Sequence, residues 1–290
     1  MNASDPPNND LRSVPPERFW QKLTEVMQSG LLTYRYLGRK NRDMHDVPHD
    51  SMVIRRDMRT AAGGLAAAPL MIGAADAGGF TDFDAVPAPV VASLTILDPG
   101  LDVREVRIDR EILRKGRSMG FTRTRITDAA NPGRLLALTG GVGVKLADTP
   151  EASVYGAGEL FELPEEIGDR PDLPPLTQVF GAWRESTGVW CLPVLNRDSA
   201  STSGSLHIGP IHIVLEAAAS ELAAEASGTD RLQPVAWEVM FLAAGTAGPF
   251  RTTGEAMRGS DGSIACRLTL SDQGREGRKV AALTARFVRA

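Results

Sequence analysis

The sequence has no apolar run approaching the roughly 18–20 residues that a bilayer-spanning helix needs, and no basic stretch leading into an apolar core near its start. A cytoplasmic, unexported protein is therefore expected. Cysteine is scarce: Cys191 and Cys266 stand in different halves without metal-type spacing. That pattern offers neither a disulfide framework nor a thiolate metal site, and it suits a reducing compartment. A basic excess is also missing. Lys and Arg number 32 against 36 Asp and Glu, for a net charge of −4, which argues against a partner tracked by its phosphates, as nucleic acids are. No Gly-x-Ser-x-Gly elbow, His-Glu-x-x-His, Cys-x-x-Cys pair or Walker loop is present, so serine-hydrolase, zinc and nucleotide chemistry find no support and neither cofactor nor metal is expected.

What the 290 residues do contain is an internal repeat. Residues 125–137 lie over residues 269–281 without a gap, placing Asp128 on Asp272, Gly133 on Gly277, Arg134 on Arg278 and Ala137 on Ala281. The same shift of 144 residues carries Val91 onto Val235, Leu97 onto Phe241, Arg114 onto Arg258 and Arg123 onto Arg267. Repeats of this kind are sought first because they organise the fold; the alternative is two unrelated segments sharing only strand alternation and a turn.

Each copy reads alike. Residues 62–79 and 209–227 are Ala-rich and strand-poor, as a helix would be. Four strand-like runs follow each: 88–97, 103–114, 117–128 and 134–146, then 232–243, 249–258, 263–272 and 279–288. The glycine-rich run 140–143 falls in one of these strands, not in a cofactor loop. A helix followed by consecutive antiparallel strands is α+β. Residues 1–16 read as a mobile tail, and a short amphipathic helix from Pro15 to about Ser29 presents Phe19, Leu23, Val26 and Met27 on one face. The Pro-rich residues 151–176 read as a linker between a first domain, 17–150, and a second, 177–290, whose residues 177–198 supply leading strands.

One carboxylate interrupts the apolar run 211–219 of the second helix. Gly209 and Pro210 open that helix; Glu216 stands seven residues, nearly two turns, after Gly209 and so shares its face, with Ser220 continuing the stripe. Burying a carboxylate without partners costs several kcal/mol, so Glu216 is a functional candidate; an outward-facing or arginine-paired residue is the alternative. His212, on the same stripe, could tune the acid or line the substrate site, with packing as the preferred reading.

The order His207-Ile208-Gly209 followed by Glu216 resembles the His-Gly-Gly helix signature of hotdog-fold acyl-CoA thioesterases of the phenylacetic-acid-degradation (PaaI-like) branch, departing from it at Ile208. The first copy has Gly63-Gly64 but lacks the His, and seven residues on stands Met71. The resemblance implies two tandem hotdog domains packed as a pseudo-dimer, each a long helix wrapped by an antiparallel sheet, and acyl-CoA as substrate. An acid and a turn eight residues apart on one helix are about 12 Å apart, too far to meet at one carbonyl. Sites in this family are built between two antiparallel protomers, which here implies Glu216 of the second copy facing Gly63 and Gly64 of the first. Glu216 would then be nucleophile or general base, the turn an oxyanion site, and Ser220 an orienting hydroxyl or a small packing residue. The pairing of Met71 with the second copy's turn would be a relic. Arg114, Lys115 and Arg117 sit at a turn where relatives present cations to coenzyme A phosphates, or else form a solvated hairpin. Double-hotdog relatives also suggest a homodimer or higher homo-oligomer. An enoyl-CoA hydratase and a non-catalytic acyl-CoA or lipid-binding protein are the competing functions.

Overall fold

The computed structural model describes residues 9–27, 31–37, 49–74, 77–80, 85–150 and 167–290. The first copy contributes strands β1 (His49–Val53), β2 (Ala85–Ile96), β3 (Glu105–Lys115), β4 (Met119–Asp128) and β5 (Leu135–Asp148). The second contributes β6 (Trp183–Ser186), β7 (Val189–Leu192), β8 (Leu232–Phe241), β9 (Phe250–Arg258), β10 (Ile264–Asp272) and β11 (Arg278–Arg289). All eleven form one sheet in the order β1-β3-β4-β5-β2-β8-β11-β10-β9-β7-β6. The copies join where β2 and β8 pair antiparallel, Val91 opposite Met240 and Thr95 opposite Ala236.

Period-2 alternation sets the two faces. Along β4, Thr122, Thr124 and Ile126 point into the core while Arg123 and Arg125 stand exposed. The repeat extends to irregularities. β4 and β5 slip register after Ile126 opposite Ala137, and β10 and β11 slip after Leu270 opposite Ala281, positions related by the shift of 144. Register slips of this kind bend a strand locally, so both copies curve at the same place.

Among the described residues, five α-helices accompany the sheet: α1 (Pro16–Glu25), α2 (Leu32–Leu37), α3 (Ala67–Ala74), α4 (Leu176–Val179) and α5 (Ile208–Ser227). α3 and α5 pack together and against the sheet, sharing a continuous apolar core that includes Leu70, Met71, Val214, Leu215 and Trp237. α5 ends at Gly228, whose positive φ of 74° suits glycine.

Several expectations need correction. The first copy's helix begins at Ala67, not at residue 62, because residues 60–65 close a turn in which the Gly63 N–H donates to the Thr60 carbonyl and Gly63 takes φ of 90°. The same turn precedes α5, with the Gly204 N–H donating to the Ser201 carbonyl, and matching bridges pair Arg59 with Leu65 and Ala200 with Leu206. Around the helix starts the copies are thus related by a shift of 141: Gly63 matches Gly204, Leu65 matches Leu206 and Pro69 matches Pro210. The glycine pair aligns with Gly204-Ser205, and the counterpart of Glu216 is Ala75, outside the described residues, rather than Met71.

The expected tail is docked where the structure describes it. The Asn9 amide donates to the carbonyls of Arg197 and Ala200, the Leu11 N–H donates to Thr202, and Leu11 packs with Phe19, Trp20 and Leu23 of α1. Residues 1–8 and 151–166, most of the expected linker, lie outside the described residues. Within 177–198, α4 precedes the two short strands β6 and β7.

Candidate active site

Glu216 lies midway along α5, where its side chain reaches across to the first turn of α3. Its Oε1 accepts the Ala67 N–H at 2.6 Å and its Oε2 accepts the Ala68 N–H at 3.1 Å. These N–H groups belong to the set a helix leaves without intrahelical partners, at the positive end of its dipole. The residue keeps partial exposure, but burial of its carboxyl group pushes the pKa up to about 7, against the lowering effect of the two amide bonds. The result is a carboxyl group poised to gain or lose a proton near neutrality.

The turn that feeds these amides is braced from several sides. The Leu65 N–H donates to Pro99, the Ala66 N–H to Met58, and Arg59 donates to the carbonyls of Gly63, Gly100 and Val103. Gln233, at the start of β8 in the second copy, donates from Nε2 to the Leu65 carbonyl at 2.8 Å and lies against Gly64, where a Cβ would overlap its side-chain oxygen. Nothing in periodicity or motif marks Gln233; only the fold brings it here.

The amides that meet Glu216 are thus those of Ala67 and Ala68. Gly63 and Gly64 lie four and three residues before Ala67, where the Gly63 N–H donates to the Thr60 carbonyl and Gly64 is buried against Gln233. Ser220 is exposed and makes no hydrogen bond to Glu216. His212 is 1 % exposed, accepts the Trp237 indole N–H at Nδ1 (3.2 Å) and lies edge-on to Phe241, and burial holds its pKa down to about 3. It is a neutral core residue rather than a substrate contact. Arg114, Lys115 and Arg117 are exposed at the β3–β4 hairpin, with the Lys115 ammonium over the Phe80 ring at 5.1 Å. Arg110, bonded to the Gly73 carbonyl near the C-terminal end of α3, precedes Lys115 by five residues of strand, roughly 16 Å. The hairpin therefore lies beyond the end of α3 opposite to the carboxylate.

At the start of α5, among the described residues, no carboxylate accepts from the first-turn amides as Glu216 does at α3. The His207 Nδ1 accepts the Gly209 N–H at 3.2 Å and meets the Thr33 hydroxyl of α2 at 3.0 Å, and a Cβ on Gly209 would overlap that hydroxyl. The second helix start is filled from within the chain. Three or more groups able to hold a metal do not cluster anywhere among the described residues, and no described helix is long and apolar enough to cross a membrane.

The architecture is a double hotdog: two helix-on-sheet units side by side in one chain, joined through a single antiparallel sheet. Among solved structures it is similar to the tesB protein of Mycobacterium avium subsp. paratuberculosis (12% identity, 88% of this chain and 96% of that one, TM-score 0.58). It is likewise similar to the acyl-CoA thioesterase II TesB2 of Mycobacterium marinum (13%, 89% and 98%, TM-score 0.56). A third similar structure is a hot-dog-fold protein of unknown function from Alicyclobacillus acidocaldarius (12%, 89% and 97%, TM-score 0.53). At such identities the likeness is one of fold. No family model matches the sequence, and no curated protein matches it.

Proposed function

We propose that the protein hydrolyses acyl-CoA thioesters at Glu216, as the helix motif's resemblance to PaaI-like thioesterases suggests. The carrying observation is the meeting of the Glu216 carboxylate with the Ala67 and Ala68 amides, from opposite copies. A thioester carbonyl entering there takes one of these N–H groups, and Glu216 gives up that bond. As general base, Glu216 removes a proton from water while the oxygen attacks the carbonyl carbon, and the oxyanion forms against the helix N-terminus. The C–S bond then breaks, and the proton returns from Glu216 to the leaving thiolate. As nucleophile its oxygen instead attacks the carbonyl carbon, the C–S bond breaks to release the thiolate and leave a mixed anhydride, and water opens that anhydride to give the free acid and the Glu216 carboxylate. A carboxyl group titrating near 7 suits either course.

Gly63 and Gly64 form the turn that leads into these amides, and Arg114, Lys115 and Arg117 are the proposed contact for the distal coenzyme A phosphates. The unpaired, buried Cys191 and Cys266 suit a cytoplasmic setting. The test is release of free thiol from a panel of acyl-CoAs. Hydrolysis lost in Glu216→Ala and kept in Met71→Ala supports the reading; equal hydrolysis in wild type and Glu216→Ala removes it. Binding of acyl-CoA without turnover would instead favour a carrier.

A further inference from the structure

Three differences between the two copies converge on one turn. Glu216 has Ala75 as its counterpart. Gly64 has Ser205, since both follow the same turn, with the Thr60 N–H donating to Gly64 and the Ser201 N–H donating to Ser205. Gln233 pairs with Val288 as Ala88 pairs with Val144, so the counterpart of the glutamine is an alanine. The acid and the glutamine both come from the second copy and both face the start of α3 in the first. The missing Cβ of Gly64 is the space the Gln233 amide fills.

Gln233 is 4 % exposed, and its bonds are directional: Nε2 donates to Leu65 at 2.8 Å and to Pro234 at 3.4 Å, and Oε1 accepts the Thr60 hydroxyl at 3.5 Å. The Leu65 carbonyl and the Ala66 N–H share one peptide plane, which Gln233 holds at one end and Met58 at the other. The next two N–H groups along the chain are those that meet Glu216.

We propose that Gln233 is a positioning residue for the reaction assigned above, and the inference rests on that assignment for its catalytic meaning: by holding the Leu65 carbonyl it aims the Ala67 and Ala68 N–H groups at the reacting carbonyl. Preorganised donors act through geometry, and a peptide free to rotate loses that aim.

The full-length protein is compared with Gln233→Ala and Gln233→Met, the latter keeping length and packing without a donor. Thiol release from acyl-CoAs is measured beside a carbon-13 NMR titration of the Glu216 carboxyl. We expect kcat to fall roughly ten-fold with KM within about two-fold, less than the 10²–10³ cost of losing a donor outright. The Glu216 titration should move upward, because amide bonds to the ionised form are what lower it. Thermal midpoints of Gln233→Met should stay within about 4 °C of wild type. Unchanged kcat together with an unmoved titration, in a protein whose hydrolysis depends on Glu216, overturns the role of Gln233 and leaves the hydrolase reading standing. Absence of hydrolysis in wild type removes the hydrolase reading instead. The titration then decides alone whether Gln233 holds the amides: an upward shift supports it and no shift overturns it.

Discussion

Glu216 Oε1 and the Ala67 N–H stand 2.6 Å apart although 149 residues of chain separate them. The bond gives α3 an N-terminal cap supplied by the other copy, and it puts the one acid of α5's apolar stretch on the donors that an oxyanion would use. Glu216→Ala should lower kcat/KM by about 10²-fold or more, the usual scale for losing a general base. Glu216→Gln, which keeps the shape and one acceptor, should be equally inactive while folding normally. Thiol-release kinetics and thermal melting of both variants check this together.

The raised pKa of Glu216 has two consequences with opposite pH senses. The proposed reaction uses the ionised form, so kcat/KM should climb through an acid limb near pH 7, absent from any residual rate of Glu216→Gln. Stability moves the other way. Between the ordinary value of 4.5 and about 7 the folded state keeps a proton that the unfolded chain releases, so the contribution of Glu216 to stability falls as pH rises through that window. The melting temperature of Glu216→Gln relative to wild type should accordingly rise between pH 4.5 and pH 7.5, by roughly 2–4 °C.

Gly64→Ala tests the packing of the turn. The new Cβ would meet Gln233 Oε1 and sit 2.8 Å from Gln233 Cδ, so the glutamine must leave the Leu65 carbonyl. Stability should fall by about 1–3 kcal/mol, the usual cost of overpacking, and kcat should fall with it. Denaturant unfolding and kinetics measure the two effects.

His212→Leu should leave kcat and KM within about two-fold of wild type, since the imidazole faces Trp237 and Phe241 in the core. It should cost about 1–3 kcal/mol by leaving the Trp237 N–H without its acceptor. The wild type should lose stability as pH falls from 6.5 towards 3, where the unfolded chain takes up a proton that the buried imidazole refuses, and His212→Leu should show a shallower loss. Unfolding at several pH values separates these outcomes.

Arg55 and Asp57 form a buried ion pair at 2.9 Å, with Tyr36 of α2 donating its hydroxyl to the same carboxylate. Asp57→Ala leaves the guanidinium buried without its partner and should destabilise by about 3–5 kcal/mol. Denaturant midpoints of the single and paired variants check it.

Much of this was legible in the chain itself. Strand alternation and the match of residues 125–137 to 269–281 locate eight of the strands within a few residues, because both depend on local pattern. The isolated acid of α5 was legible for the same reason. Four things were not: α2, too short to show periodicity; the 141-residue register at the helix starts; the docking of Leu11; and Gln233. Each is fixed by contacts between distant segments, and a buried glutamine carries no spacing that sets it apart from a surface one. For His212 packing was the preferred reading, but its partner was not legible: a stripe on a helix states direction, while the identity of its neighbours, here Trp237, comes only from the fold.

The pairing of β2 with β8 has a further consequence. Two identical chains meeting across such a seam must place the same residue on both sides, so any change at one helix start is repeated at the other. Fusion removes that obligation. Thr33 can block one start while Glu216 and Gln233 serve its twin, so the chain is expected to turn over one substrate at a time, with a stoichiometry of one occupied site per polypeptide.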